Sequence, residues 1–389
     1  MASSGSISPN IGHMIDIAAQ RFYGAKSEPV DAIDVVAAED VTSPTTGERF
    51  TWQILAVHHG GTVDHYQVFV DATGTRDVLH TPEGAEAYLA NVAKFGAVEG
   101  AIDSAGARPL GAEQSNTSLV VGEHIVKVFR RLEDGLNPDV ELLSQIADCP
   151  AVAAVRGYAT RDGQTLAMQQ DCIVGGTDGF VLATEGKLDA HDTKALGTAI
   201  RQVHTALADA FPTETASPSA LRTRLTRHLD SYIQRAPVLE QYRERILKLY
   251  SLLDASSAST AATSLTTQRV HGDLHLGQTL KTDSQWFLID FEGEPARPLQ
   301  ERRLPDHPLR DVAGMIRSYG YAAAVGNFDA AWEREHVEKL LEGYGTAPAS
   351  EDPVLAAYVV DKAAYEVVYE ANNRPDWVEI PLRAIETLV

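Results

Sequence analysis

The 389 residues predict an α+β chain, with strands gathered in the first half and helices in the second. Three observations carry this. Thr51–Val57 and Tyr66–Val70 have strand composition and are separated by Gly60–Gly61, the mark of a hairpin or meander. From about residue 106 the pattern becomes strand, polar turn, strand, tight turn, strand. From residue 196 onward apolar side chains recur at helical spacing.

In chain order, residues 1–10 are small and polar and are expected to fray, and Ile11–Phe22 suits a short helix. Thr81–Pro82–Glu83 opens a helix, since proline at the first helical position forfeits no hydrogen bond, and AEAYLANVAKFG continues it. Residues 1–105 thus form a small mixed domain. The next segment, 106–176, reads as an antiparallel sheet with one helix beside it. Ser115–Thr117 and Gly122–Glu123 make its turns, Asn137–Pro138–Asp139 precedes the helix start VELLSQI, and Thr165–Val174 is a further strand. Residues 177–389 form a mostly helical domain, with helices over 196–211, 221–253, 309–325, 331–344 and 353–369. The stretch 254–267 is a low-complexity connection of Ser, Thr and Ala, expected to be mobile.

Composition narrows the function. There are 54 acidic residues against 33 basic, a net charge of -21, and a field of that sign repels a nucleic-acid backbone. No apolar run approaches 18 residues, so no membrane span is expected. The opening residues lack the basic and apolar regions of an export signal. Two cysteines, 149 and 172, form no metal or disulfide-scaffold spacing and fit a reducing compartment. The expectation is a cytoplasmic protein, a monomer or weak dimer, with a small-molecule partner.

The densest chemistry lies in VHGDLHLGQTLKTDSQWFLIDFEGEP, residues 270–295. His271, Asp273, His275, Gln278, Asp290, Glu292 and Glu294 fall within it. Strand-like pieces around Leu280 and Trp286–Ile289 flank a turn, so a hairpin brings Asp273 and Asp290 toward one edge. Clustered carboxylates are costly alone. Carboxylate and amide oxygens suit Mg²⁺, which takes six oxygen ligands.

This block resembles the catalytic loop of protein-kinase-like small-molecule kinases, the aminoglycoside phosphotransferase group. Within that group it resembles maltokinases of actinobacteria and their relatives that phosphorylate glucosamine. HGDLHLGQ (271–278), IDFEGEPARPL (289–299), PLRDVAGMIRSYGYAA (308–323), DKAAYEVVYEANNRPDWVEIPL (361–382) and RFYGAK (21–26) carry the likeness. The resemblance implies a bilobal protein-kinase-like fold, with residues 1–105 as an extra cap, 106–176 as the nucleotide-binding lobe and 177–389 as the catalytic and sugar-binding lobe. It implies ATP and Mg²⁺ as cofactors. Asp273 would be the catalytic residue that takes or orients the proton of the attacking hydroxyl. Gln278 and Asp290 would ligate the metal, with Glu292 beside them. Lys127 would contact the donor phosphates, oriented by Glu141, and Ser115 and Asn116 would cover them. Gln169, Asp171 and Ile173 would form the hinge at adenine.

The acceptor follows less directly. RFYGAKSEP and VGGTDGF depart from the maltokinase pattern, and the C-terminal acids offer partners for an ammonium group. The expected reaction is therefore phosphorylation of an aminosugar, glucosamine to glucosamine 6-phosphate. The alternatives are a maltokinase making maltose 1-phosphate and an aminoglycoside phosphotransferase. A binding protein without turnover is disfavoured, because Asp273 and Asp290 are both present. Asp273, His275, Glu366, Tyr369, Glu370 and Trp377 are the expected sugar-binding residues. Glu366 and Glu370, four apart, share a helix face, and the tyrosines share a neighbouring one.

Overall fold

A computed structural model describes residues 14–111, 115–256, 264–294 and 297–389. The expected fraying of residues 1–10 and the centre of the 254–267 connection lie outside the described residues. The chain forms two compact units. One comprises the residues up to Ser144 with Ala154–Cys172, the other Gln145–Ala153 with Ile173–Val389.

The first unit holds β1 (Val30–Thr42), β2 (Arg49–His59), β3 (Thr62–Asp71), α1 (Pro82–Phe95), β4 (Ala97–Gly100), β5 (Arg108–Pro109), β6 (Asn116–Val121), β7 (His124–Phe129), β8 (Arg131–Leu132), α2 (Pro138–Leu143), β9 (Val155–Arg161) and β10 (Gln164–Asp171). They make two antiparallel sheets, ordered β1-β2-β3-β8 and β4-β9-β10-β7-β6-β5. The meander expected around Gly60–Gly61 is present as β2–β3, with His59 opposite Thr62. The sequence reading did not see β1, whose burial alternates along an edge strand with only Val41 fully buried.

The helix expected over Ile11–Phe22 is absent from its described part, residues 14–22. Ile15 and Ile17 are both buried against Leu55 and Tyr66, two residues apart, which a helix would prevent. Turns closed by Gln20 N–H to Ile17 O and Tyr23 N–H to Gln20 O replace it. Tyr23 of the RFYGAK stretch is core, and the Gly24 N–H donates to the Tyr66 hydroxyl at 3.1 Å.

A boundary at residue 105 is crossed in both directions. β4 pairs with β9 of the six-stranded sheet, and β8 pairs with β3 of the four-stranded one. One apolar core joins Phe50, Trp52 and Phe69 to Leu119, Val126 and Leu166. At its centre Gln67 is completely buried. Its amide donates to the carbonyls of Phe129 and Leu166 at 2.5 and 2.7 Å, and its oxygen accepts from Trp52 Nε1 and Tyr88 Oη at 3.1 and 2.9 Å. All four hydrogen-bonding positions of the amide are filled, so a polar group costs nothing there and fixes both sheets to α1.

The second unit holds β11 (Thr177–Asp178), α3 (Gly179–Thr184), α4 (Ala190–Ala210), β12 (Glu214–Ala216), α5 (Pro218–Arg235), α6 (Arg243–Ser256), β13 (Leu265–Thr267), β14 (Thr279–Lys281), β15 (Trp286–Leu288), α7 (Leu299–Arg302), α8 (Leu309–Gly326), α9 (Ala330–Tyr344), α10 (Pro353–Asn373) and α11 (Glu379–Leu388). The helical pattern over 221–253 is broken at Pro237, where a 3-10 turn separates α5 from α6. Both flanks of the low-complexity connection are regular, since α6 runs to Ser256 and β13 begins at Leu265. α10 lies at the centre, with Leu355–Val360 buried without interruption because α5, α6, α8 and α11 surround it. Among the described residues no helix is long and apolar enough to cross a membrane.

Candidate active site

The loop from His271 to Gln278 is held on one face of α8. The buried Asp311 carboxylate accepts the N–H groups of His271 and Gly272 at 2.8 and 2.9 Å and also meets His204 Nε2 at 2.9 Å. Burial opposes its charge, but the histidine and these amides outweigh that and lower its pKa. Three residues on, a Cβ on Gly314 would stand 2.4 Å from the Leu274 carbonyl, so only glycine admits the loop. Ser318 Oγ then accepts the Leu276 N–H at 3.0 Å. Positions 311, 314 and 318 share a face by helical spacing. Gly272 takes φ +87°, a left-handed turn just before Asp273 that glycine adopts freely.

The hairpin β14–β15, with Thr279 opposite Leu288, carries the chain back past this loop. His271 Nε2 must donate to the Ile289 carbonyl at 2.9 Å, which leaves Nδ1 to accept the Asp273 N–H. Asp290 follows at φ +65°, a left-handed conformation uncommon outside glycine. Gln278 Nε2 donates to its Oδ2 at 3.0 Å. The amide and the carboxylate thus come from opposite arms of one hairpin to one place, and carboxylate oxygens of Asp290 and Glu292 lie within 4.8 Å of each other. This set of hard oxygen donors fits Mg²⁺. The nitrogen of Gln278 steadies Asp290, so its amide oxygen is the atom that could meet a cation.

Asp273 is partly exposed, and the Lys362 ammonium on α10 lies 3.2 Å from its Oδ1. Lys362 also meets Glu294 Oε1 at 3.3 Å, and Glu294 Oε2 is met by Arg297 at 2.7 Å and Arg310 at 3.2 Å. Burial opposes ionisation of Glu294, yet Arg310, Lys362 and Arg297 prevail and bring its pKa down to about 2. For Lys362 burial works downward, but Asp273, Glu294 and Glu366 raise it. His275 is pushed down by burial, against the pull of Asp273.

In the first unit Lys127 on β7 is opposite Met168 of β10, and its Nζ is 2.9 Å from Asp139 Oδ2. Asp139 is buried in the first turn of α2, capped by Asn137. A strand lysine held by a helix carboxylate, a loop aspartate on a helix and an amide–carboxylate pair on a hairpin together form the parts of a phosphoryl-transfer enzyme. The model of the phosphotransferase enzyme family (APH) matches residues 106–351. The chain belongs to this family.

Similar curated proteins include a glucosamine kinase of Streptacidiphilus jiangxiensis, 28% identical over 334 residues, covering 73% of this chain and 74% of that protein. Another is a glucosamine kinase of Mycolicibacterium smegmatis, 25% identical, covering 73% of this chain and 80% of that one. A solved glucosamine kinase structure superposes with a TM-score of 0.72 at 22% identity, over 94% of this chain and 96% of its own. A glucosamine kinase in complex with glucosamine, ADP and inorganic phosphate gives 0.68 at 23%, over 87% and 91%. These structures establish the shared fold, α+β and protein-kinase-like, with an N-terminal α/β region and a mainly helical C-terminal lobe.

In the structure of this phosphotransferase Gln278 meets Asp290, Asp290 lies beside Glu292, and His275 lies in the field of both Asp273 and Asp290. Elsewhere the structure differs from the sequence reading. One carboxylate hydrogen-bonded to Lys127 is Asp139, which the reading took as part of the turn before the helix rather than as a partner of the lysine; Glu141, the residue the reading named, stands two positions past it and is partly buried. Ser115 is an exposed bend, and Asn116 already belongs to β6, opposite Phe129, rather than to a turn. Gln169 is buried, and its amide clasps the Asp103 N–H and carboxylate at 2.7 and 2.9 Å. Asp171 is paired with Arg156, which lowers its pKa. The two compact units part between Cys172 and Ile173, inside the expected hinge.

Glu366 and Glu370 are corrected most. Both were expected to face a substrate amine, yet both are buried. Arg317 Nε reaches Glu366 at 2.9 Å, and burial still raises that glutamate's pKa. Glu370 receives two bonds from Arg374, at 2.7 and 2.8 Å, and one from Tyr321 at 2.9 Å. They point into the contacts of α10 with α8, where burying an acid requires an arginine. Tyr369 stays exposed, and Trp377 is covered by Arg374 at 4.3 Å and stacked on Tyr321. Glu294 was read as part of the dense block but given no role, and Lys362, Arg310 and Asp311 were not named as site residues. The signal of the last three was the paired blocks PLRD and DK, which only contact reveals as one cluster with Glu294.

Proposed function

We propose that this phosphotransferase moves the γ-phosphoryl group of ATP, with Mg²⁺, to the 6-hydroxyl of glucosamine. The observation that carries the reading is the loop and hairpin of Asp273, Gln278 and Asp290, in a chain whose curated relatives over 73% of its length are named glucosamine kinases. Asp273 would take or orient the hydroxyl proton. Gln278, Asp290 and Glu292 would hold the metal, which supplies charge compensation for the phosphates. Lys127, steadied by Asp139, would contact the donor phosphates, with Glu141 beside it and Ser115 and Asn116 near the turn. Backbone atoms from Gln169 to Ile173 would meet adenine. His275, Tyr369 and Trp377 would border the sugar. The two free cysteines support a reducing, cytoplasmic setting, and we read the enzyme as a monomer or weak dimer.

The test is ADP release with a panel of free sugars and aminoglycosides, followed by NMR of the product. Glucosamine is expected to give the highest kcat/KM, with the phosphate on C6. Maltose outrunning it, with phosphate on C1, would replace the aminosugar reading and leave the phosphotransferase standing.

A further inference from the structure

Asp273 opens into a narrow cleft within the second unit, also lined by Glu294, Arg297, Arg310, Asp311, Asp361, Lys362 and the tyrosines 232, 358 and 365. The charges in this cleft can be paired off one by one. Glu294 is held by Arg297, Arg310 and Lys362. Asp273 has Lys362. Arg310 spends its other contact on Asp306 at 3.3 Å. Asp311 is 1% exposed and is filled by two backbone N–H groups and His204. That leaves Asp361, the residue before Lys362 on α10. Its side chain is 14% exposed, and among the described residues its partner is His228 Nδ1, at 3.2 Å from both oxygens.

A histidine carries a positive charge only when protonated, whereas arginine always does. Every other acid on this wall has a permanent cation or backbone amides; Asp361 has neither. A carboxylate in a partly dehydrated cleft without a permanent counter-charge attracts a small cation far more strongly than it attracts a neutral hydroxyl. Glu366 and Glu370 cannot do this, because Arg317 and Arg374 already neutralise them.

We infer that Asp361 is the specificity residue for a cationic acceptor, receiving the ammonium group of an aminosugar whose hydroxyl is presented to Asp273. This rests on the aminosugar reading above. It goes beyond that reading by moving charge recognition from the C-terminal glutamates to the cleft beside the catalytic loop.

The experiment measures kcat/KM for glucosamine and for glucose in wild type, Asp361→Asn and His228→Lys. Asp361→Asn is expected to lower the glucosamine value by about 10–100-fold, the loss of one charge-assisted contact, and to change the glucose value much less. His228→Lys keeps Asp361 but gives it a permanent cation, so it is expected to depress glucosamine selectively too, and it stands in should Asp361→Asn not fold. A wild-type glucosamine-to-glucose ratio in both variants, or in His228→Lys if it alone folds, would overturn the inference while leaving the aminosugar reading intact. A wild type with no preference for glucosamine over glucose would overturn that reading and this inference with it.

Discussion

The two units bury polar groups in different proportions, since the first, which also holds the buried pairs of Arg130 with Asp77 and Lys127 with Asp139, has a neutral centre. In the first, Gln67 joins two sheets and a helix through four neutral hydrogen bonds, each donor matched to an acceptor. In the second, the polar interior around α8 and α10 is ionic, with Asp306, Glu294, Glu366 and Glu370 each held by arginine or lysine. A neutral network fixes shape and is indifferent to pH and salt. An ionic one also fixes shape, but it leaves a strong local field wherever a charge is incompletely paired, and the field is what chemistry on a phosphoryl group uses. The loop proposed for catalysis, residues 271–278, is mounted on the ionic unit, through Asp311 and Lys362.

Removing charge at the working end should therefore cost activity without costing the fold. Asp273→Asn is expected to cut turnover by about 10²–10⁴-fold while the thermal midpoint stays near wild type, because the side chain is partly exposed and its backbone hydrogen bonds remain. Steady-state ADP release and a melting curve on the same preparation check this, and near-normal turnover would remove Asp273 from the reaction.

The neutral network should behave in reverse. Gln67→Leu strands two carbonyls, an indole N–H and a tyrosine hydroxyl in the core. The expected loss is at least about 4 kcal/mol of stability at any pH, from four unsatisfied groups that cost about 1–3 kcal/mol each. Urea unfolding at two pH values measures both the loss and its lack of pH dependence.

Acid should separate the units most finely. Glu294 and Asp306 both have pKa values lowered to about 2. For Asp306, burial opposes ionisation, but Arg310 and Arg224 outweigh it. A carboxylate depressed on folding stabilises the protein above its unfolded pKa, near 4, and that stabilisation disappears as pH falls through about 2. Each group contributes about 3 kcal/mol in this window, from about 1.4 kcal/mol per pH unit. Unfolding at pH 6, 4 and 2.5 should show a drop that Glu294→Gln flattens in part and Gln67→Leu does not alter. An unchanged slope in Glu294→Gln would show that the cleft's ionic pairs do not stabilise it.

Much of this was legible in one dimension. HGDLHLGQ and IDFE named the loop and the hairpin because catalysis needs those residue types at close spacing, and close spacing survives in sequence. The helices over 196–211, 221–253, 309–325, 331–344 and 353–369 were visible for the same reason, because their periodicity is local. The turns at 14–22 were not, since Ile15 and Ile17 answer to Tyr66 and Leu55 rather than to each other. β1 was hidden because an edge strand with one covered face carries little apolar signal.

The sequence by itself determined the succession of a strand-rich first half and a helix-rich second half, the oxygen-rich chemistry of residues 271–294 and the membership of a phosphotransferase family. Only the tertiary structure decided which charges are spent and which remain. Asp139 and Glu141 look equivalent on paper, as do Asp361, Glu366 and Glu370. Each carboxylate's value depends on the cation that long-range packing sets beside it. Arg317 lies 49 residues from Glu366, and Lys362 lies 89 residues from Asp273. An electrostatic interaction falls with distance in space, and no pattern in the chain records that distance.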